Sequence, residues 1–228
     1  MPAWGVSQAP SERFKVVAKT MSTNEIGEII SGYGDAARRM AAAGVDGVEI
    51  VGSHGYLPSQ FLSPSINFRT DEYGGSLENR ARLLRELIED TKDAVGDTCA
   101  VAVRFAVDEL RGADGMEAGG EAPEIIAMLA ELPDLWDVNI SDWDNDSQTA
   151  RFAEEGYQEG FISFVKTLTT KPVVGVGRYT SPDHMASLIA KGTLDFIGAA
   201  RPSIADPFLP KKIEEGRLED IRECIGCN

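Results

Sequence analysis

A chain of 228 residues, 43% hydrophobic and 26% charged, has the composition of one folded domain with a full core, and its net charge of −15 argues against nucleic acid or an anionic membrane as partner, because both need basic surface. No apolar run approaches the ~18–20 residues of a membrane-spanning helix, and the N-terminal MPAWGVSQAPSERFK lacks the long apolar core of a secretory signal. A cytoplasmic, reducing setting is the default expectation, and three cysteines do not make a secreted disulfide framework.

Residues 1–21 read as an extended N-terminal segment. From residue 22 helix and strand patterns alternate. A helix is predicted from about Thr23 to Ala43, followed by a strand from Gly47 to Val51. A long loop then reaches Ser76, which caps the helix LENRARLLRELIEDTKDAV. Next come a strand around Ala102 to Phe105, a helix near Glu124 to Leu132, the strand LWDVNIS, a helix near Phe161 to Leu168 and the strand PVVGVGR. Ser181 caps a helix with Pro182 at its first position; it ends at Lys191-Gly192 and gives way to the strand LDFIGAARP. These strands are nearly continuous apolar runs, as in a parallel sheet covered on both faces. Each ends in polar or glycine residues: His54, Arg104, Ser141-Asp142-Trp143, Gly177-Arg178 and Arg201. An open doubly wound sheet shares the pattern, but polar groups at every strand end suit a (β/α)8 TIM barrel better.

The candidate chemistry sits at those strand ends. The loop after Gly47–Val51 exceeds the ~12–15 residues beyond which a loop is usually functional, and carries His54, Tyr56, Gln60, Asn67, Arg69 and Asp71. The turns Gly175-Val176-Gly177-Arg178 and Gly198-Ala199-Ala200-Arg201 fit a phosphate held by backbone amides and arginine; the plainer reading is that their glycines are steric. Arg104 needs an anion, supplied by Asp108, Glu49 or a ligand. His54 is either a ligand-facing imidazole or tied to its own backbone, whereas His184 reads as a surface residue. Taken by themselves, Trp143 reads as a packing residue and Asp146 as a solvated charge in the very acidic stretch DWDND. Cys224 and Cys227 form a Cys-x-x-Cys open to zinc, redox chemistry or a loose tail, and Cys99 is structural.

The stretch HGYLPSQFLSPSINFRTDEYGGSLENRAR, from His54 to Arg82, resembles the old yellow enzyme family of FMN oxidoreductases, where a similar string follows the fourth strand of an eightfold barrel. The resemblance implies that residues 22–210 hold strands four to eight of an incomplete TIM barrel, with about three β/α units ahead of Met1. The alternative is a complete small α/β protein. It also implies an FMN phosphate site at Gly177, Arg178, Ala200 and Arg201, with Arg201 the direct ligand, and places Arg104 at the pyrimidine edge of the flavin. By the same resemblance, the positions of Val51 and His54 hold a substrate carbonyl and Tyr56 donates a proton; valine at position 51 departs from that pattern and weakens the enone-reductase reading.

WDVNISDWDND resembles the trimethylamine and dimethylamine dehydrogenase branch, which implies that Trp143 forms part of an aromatic bowl and Asp146 bonds His54. Residues 211–228 look like a tail entering a truncated cysteine cluster, in which Cys224 and Cys227 are two ligands of a [4Fe–4S] centre that needs four thiolates. The function implied is FMN-dependent oxidative N-demethylation of a small secondary or tertiary amine, with electrons leaving through the iron–sulfur centre to an acceptor protein. The rivals are an NAD(P)H-dependent ene-reductase, dienoyl-CoA-reductase-like, and a non-catalytic remnant. The chain is expected to form a homo-oligomer or to dock a partner that supplies the missing strands.

Overall fold

The alternation begins at Ser22, whose hydroxyl accepts from the Glu25 amide at 3.3 Å while the Glu25 carboxylate accepts from the Ser22 amide at 2.7 Å. This reciprocal pair satisfies amides that a first helical turn leaves without partners, and it starts helix α1 (Thr23–Ala42). The computed structural model describes residues 3–11, 16–141 and 152–226. Ahead of α1 the chain is more than extended: β1 (Trp4–Gly5) pairs in parallel with β4 (Lys19–Thr20), and β2 (Pro10–Ser11) pairs antiparallel with β3 (Val16–Val17).

The main sheet contains β5 (Gly47–Gly52), β6 (Ala100–Ala106), β7 (Leu135–Asn139), β8 (Val173–Gly175) and β9 (Phe196–Ile197), all parallel and adjacent in chain order. A doubly wound sheet reverses its strand order at a switch point. This one runs on without reversal, so the strands form an arc of a (β/α)8 barrel. Along the arc lie α3 (Leu77–Val95), α4 (Ala122–Leu129), α5 (Glu159–Ile162) and α6 (Pro182–Ala190). Alternation divides the strand residues between two faces. Ile50, Val101, Val103, Phe105, Trp136 and Val138 lie on one face and are fully buried in the same core as Leu84, Leu87 and Ile88 of α3 and Ile125, Ile126 and Leu129 of α4. Burying each such side chain contributes roughly 1.5–3 kcal/mol. Trp136 also donates its Nε1–H to the Ala130 carbonyl at 3.0 Å and meets Phe105 edge-on at 5.9 Å.

The opposite face carries the in-register row Val51, Arg104, Asp137, Val174 and Phe196. In a closed barrel this face lines the interior.

Three elements differ from the sequence expectation. The long loop contains a helix, α2 (Leu57–Leu62), with Pro58 in its first turn, where a missing amide costs nothing. The helix expected near Phe161 to Leu168 is only α5 followed by a 3-10 turn at Val165–Thr167. Here the Ser163 hydroxyl donates to the Glu159 carbonyl at 2.5 Å and the Thr167 hydroxyl to that of Phe164 at 2.6 Å, and such local bonds compete with a regular helix. The last strand stops at Ile197, and Ala200 to Ala205 form α7 (Ala200–Ala205), with Pro202 in the first turn. After α8 (Leu209–Glu214), the C-terminal segment returns to α7: buried Asp206 accepts from Lys212 Nζ at 2.6 Å and from the Arg222 amide at 2.9 Å.

Candidate flavin site at the strand ends

Because the sheet is parallel, every residue that follows a strand lies at one end of the arc. Val51 is half-buried beside Arg104 at the β5 edge of the interior row. Beyond β5, His54 takes the left-handed conformation (φ 56°), which brings its Nδ1 to 2.8 Å from Ser53 Oγ. Tyr56 is the N-cap residue of α2 and is 46% exposed. His54 and Tyr56 thus stand on the loop at the carboxyl end of β5, as expected.

The rest of that loop is structural. Gln60 donates to the Gly55 carbonyl at 2.8 Å, and the Asn67 amide donates to the carbonyls of Phe61 at 2.6 Å and Tyr73 at 2.9 Å. The Arg69 guanidinium, 5% exposed, donates to the carbonyls of Val6 and Met21 at 3.1 and 2.6 Å and forms a two-pronged pair with Asp71. Gly74 is required there by space, since a Cβ would lie 2.4 Å from the Arg69 carbonyl oxygen.

Arg104 points into the interior face, where its Nη1 lies 3.4 Å from Asp137 Oδ2. Asp108, considered from sequence as its partner, is occupied elsewhere: it accepts from the amides of Leu110 at 2.7 Å and Ala118 at 3.0 Å. Glu49 does act on the cluster. Burial, and then the Asp137 charge, push its carboxyl above the usual range, while Arg104 pulls it down. Burial likewise raises Asp137 against the pull of Arg104.

One layer further along β7, in register with Ala106, is Asn139, 1% exposed with neither its Oδ1 nor its Nδ2 hydrogen-bonded. An orphaned buried amide costs about 1–3 kcal/mol per group, which makes Asn139 a candidate ligand contact. Asp137 and Asn139 were missed as site residues. Their signal was present in LWDVNIS: polar residues at every second position mark one polar face of a strand.

At the other end of the arc, Gly198 donates its amide to the Gly175 carbonyl at 2.8 Å, which sets the two glycine turns side by side. Packing explains these glycines. A Cβ on Gly175 would lie 2.5 Å from Leu194 Cδ1, one on Gly198 2.5 Å from Val176 Cγ1, and one on Gly177 3.1 Å from the Tyr179 ring. Arg178, also left-handed (φ 59°), donates from Nη1 to the Ala153 carbonyl at 2.8 Å while its Nε is buried without a partner. Ala200 opens α7 and Arg201 is half-buried beside it. His184, read as plain surface, is engaged: its Nε2 is 2.5 Å from Glu159 Oε1 and its ring stacks on Tyr179 at 5.8 Å.

Trp143, Asp146 and Cys227 lie outside the described residues. Cys224 is half-buried and its sulfur accepts from the Gly226 amide at 3.4 Å. Among the described residues no three His, Cys, Asp or Glu side chains converge as a metal site, and no helix is long and apolar enough to cross a membrane.

Residues 5–220 match the model of the NADH:flavin oxidoreductase / NADH oxidase family. The chain belongs to this family. Dimethylamine dehydrogenase of Hyphomicrobium sp. (strain x) is 47% identical over 208 residues, covering 90% of this chain and 28% of that protein. The structure of 6-hydroxypseudooxynicotine amine oxidase from Pseudomonas geniculata N1 superposes with a TM-score of 0.89 at 56% identity, covering 93% of this chain and 32% of that one. Histamine dehydrogenase from Rhizobium sp. 4-9 superposes at 0.92 with 50% identity, covering 98% of this chain and 33% of that one. The chain therefore spans about a third of the length of these relatives. More distant flavin oxidoreductases share the barrel: the old yellow enzyme homologue of Zymomonas mobilis superposes at 0.75 with 27% identity.

Proposed function

We propose that this family member contributes the fourth to eighth β/α units of an FMN-dependent amine dehydrogenase that removes an N-methyl group from a small secondary or tertiary amine. The observation that carries the flavin site is a set of buried polar atoms without partners at the strand ends, Asn139 on β7 and Arg178 Nε after β8, on an arc that also presents Arg104. These atoms fit a ring with alternating donors and acceptors and an anionic tail. Likeness to amine-acting relatives supports the substrate class.

When bound, FMN supplies the acceptor for the two electrons of the amine. The chain's own residues do the rest. Arg178 and Arg201 hold the phosphate together with the amides around Gly177 and Ala200, Arg104 offsets negative charge at the ring edge, and Asn139 hydrogen-bonds the ring. Trp143 would offer an aromatic face to the substituted nitrogen, a cation–π contact of about 0.5–2 kcal/mol. Asp146 would orient His54, which would hold or take the substrate proton, while valine at position 51 leaves the polar set one member short.

Three cysteines in all, one of them Cys99 buried next to β6, do not supply the four thiolates of a [4Fe–4S] centre. Cys224 and Cys227 would be two of its ligands in a longer protein, so no step is routed through the cluster here. A second reading, reduction of a conjugated C=C bond with Tyr56 as proton donor, is favoured by the exposure of Tyr56 at the loop end.

The isolated chain, with five of eight barrel units, is expected to hold FMN weakly or not at all, so the deciding experiment is anaerobic mixing of the completed, FMN-loaded barrel with dimethylated and trimethylated amines. Bleaching of the flavin is expected, with cyclohexenone-type enones slow to reoxidise it. Fast enone turnover with no bleaching by any N-methyl amine selects the second reading.

A further inference from the structure

The turn after β8 is not held by β8 alone. Gly177 accepts at its carbonyl from the Gly156 amide at 2.8 Å, Arg178 donates from Nη1 to the Ala153 carbonyl at 2.8 Å, and the amides of Thr180 and Ser181 both donate to Glu155 Oε1 at 2.7 Å. Residues 153–156, which lead into α5, thus grip the turn on both sides of Tyr179. Arg178 is left-handed (φ 59°), a backbone state that costs a non-glycine residue of order 1 kcal/mol and persists only where its surroundings impose it. The same grip holds the guanidinium whose Nε is buried without a partner.

His184 fastens that grip. Its Nε2 lies 2.5 Å from Glu159 Oε1 in the first turn of α5, and its ring stacks on that of Tyr179 at 5.8 Å and 27°. Tyr179 in turn fills the space against Gly177, where a Cβ would lie 3.1 Å from Tyr179 Cζ and 3.4 Å from Gly156 Cα. Gly156, at φ 78°, leaves the room the pair needs, since a Cβ there would collide with Glu159 Oε1 and lie 3.4 Å from His184 Nε2. One imidazole therefore joins α6, α5 and the turn that carries Arg178. We propose that His184 is a positioning residue for FMN recognition, which through Glu159 and Tyr179 holds residues 153–156 against the Gly177-Arg178 turn and so keeps the Arg178 guanidinium set for the phosphate. This rests on the flavin reading above and adds to it a residue outside the phosphate cradle that selects the phosphorylated flavin over riboflavin.

The test compares the Kd for FMN with that for riboflavin, which lacks the phosphate, in the completed barrel, unaltered and carrying His184→Ala or His184→Gln, by fluorescence quenching with a thermal melt of each. His184→Ala should lose about tenfold of the preference for FMN, the scale of one misplaced charge-assisted hydrogen bond, with riboflavin affinity unchanged. His184→Gln should recover most of the preference, because its side-chain amide can donate to Glu159 in place of the imidazole Nε2. Glutamine carries no charge, so recovery also separates positioning from the attraction of an anion by a protonated histidine.

Equal losses for FMN and riboflavin, an unchanged preference in folded His184→Ala, or no recovery in His184→Gln overturns the inference and leaves the flavin site standing. Should His184→Ala fail to fold, Glu159→Ala breaks the same bond from α5, and the same loss of preference, or its absence, decides. Failure of the unaltered barrel to take up FMN, or to prefer it to riboflavin, overturns the flavin reading and the inference together.

Discussion

Asn139→Leu should separate the cost of the site from its use. In the free protein the Asn139 side chain is 1% exposed, with one orphaned donor group and one orphaned acceptor. Leaving a buried polar group unpaired costs about 1–3 kcal/mol, whereas an apolar side chain of similar shape removes that cost. Leucine keeps the branched outline of asparagine and, though bulkier, puts methyl groups where the orphaned amide atoms lie, in register with Ala106. Urea unfolding of the ligand-free protein should therefore show the variant more stable by about 1–3 kcal/mol. If the amide bonds the flavin ring, the variant loses that bond, and fluorescence-quench titration of the completed barrel should give an FMN Kd roughly 5- to 150-fold higher, the equivalent of about 1–3 kcal/mol. Function would then be held at a cost in stability. A variant that is destabilised and binds FMN as before would refute the reasoning, since the amide would then be satisfied in the free protein and turned away from the ligand.

Arg69→Ala should destabilise the protein by about 3–5 kcal/mol in the same unfolding assay, because it strands the Asp71 carboxylate and two buried carbonyls. FMN affinity of the folded fraction should not change, and a selective loss of FMN would return Arg69 to the site. In the completed barrel, Arg201→Ala should weaken FMN by about 2–3 kcal/mol if its charge-assisted bond to the phosphate is lost, and an unchanged Kd removes it from that role. Lys212 first, then the Arg222 amide, hold the Asp206 carboxyl down to about 2. A depressed carboxylate stabilises above its unfolded value of about 3.9, and that contribution is lost as pH falls from there through about 2. The NMR signal of the Arg222 amide should stay in its docked position at pH 4 and move between pH 4 and 2, whereas Asp206→Asn should release it already at neutral pH.

The fold was legible wherever local chemistry and burial agree. Ser22 with Glu25, Ser76 ahead of Leu77, and Ser181 with Pro182 each mark a helix start that the structure reproduces, because their side chains satisfy amides that nothing else reaches. Apolar runs located β5, β6 and β7 to within a few residues. Reading failed where an apolar stretch is short and its neighbours decide. FIGAARPSIA carries enough Ile, Phe and Ala for either state. It divides at Gly198, where the bond to Gly175 ends the sheet and Pro202 suits a first helical turn.

Candidate site residues stand out in the sequence at the strand ends and not inside the arc, and the reason is geometric. A polar residue after an apolar run stands out in one dimension, so His54, Arg104, Arg178 and Arg201 could be picked out singly. Polar residues within a run are visible only through their pairing with other strands. Asp137 becomes the partner of Arg104 through the β6–β7 register, and Glu49 joins them through the β5–β6 register, although 88 residues separate Glu49 from Asp137 in the chain. The loop from Asn67 to Asp71 shows the converse. Its arginine, carboxylate and amide look like chemistry in sequence, but each is consumed by a backbone carbonyl or by another loop residue, and what they do is fasten β1 and the start of α1 to the arc. Polar residues with full sets of partners build the scaffold. At the strand ends, Asn139 and the Nε of Arg178 are buried polar atoms without a partner among the described residues, so they are the ones to test first as ligand contacts.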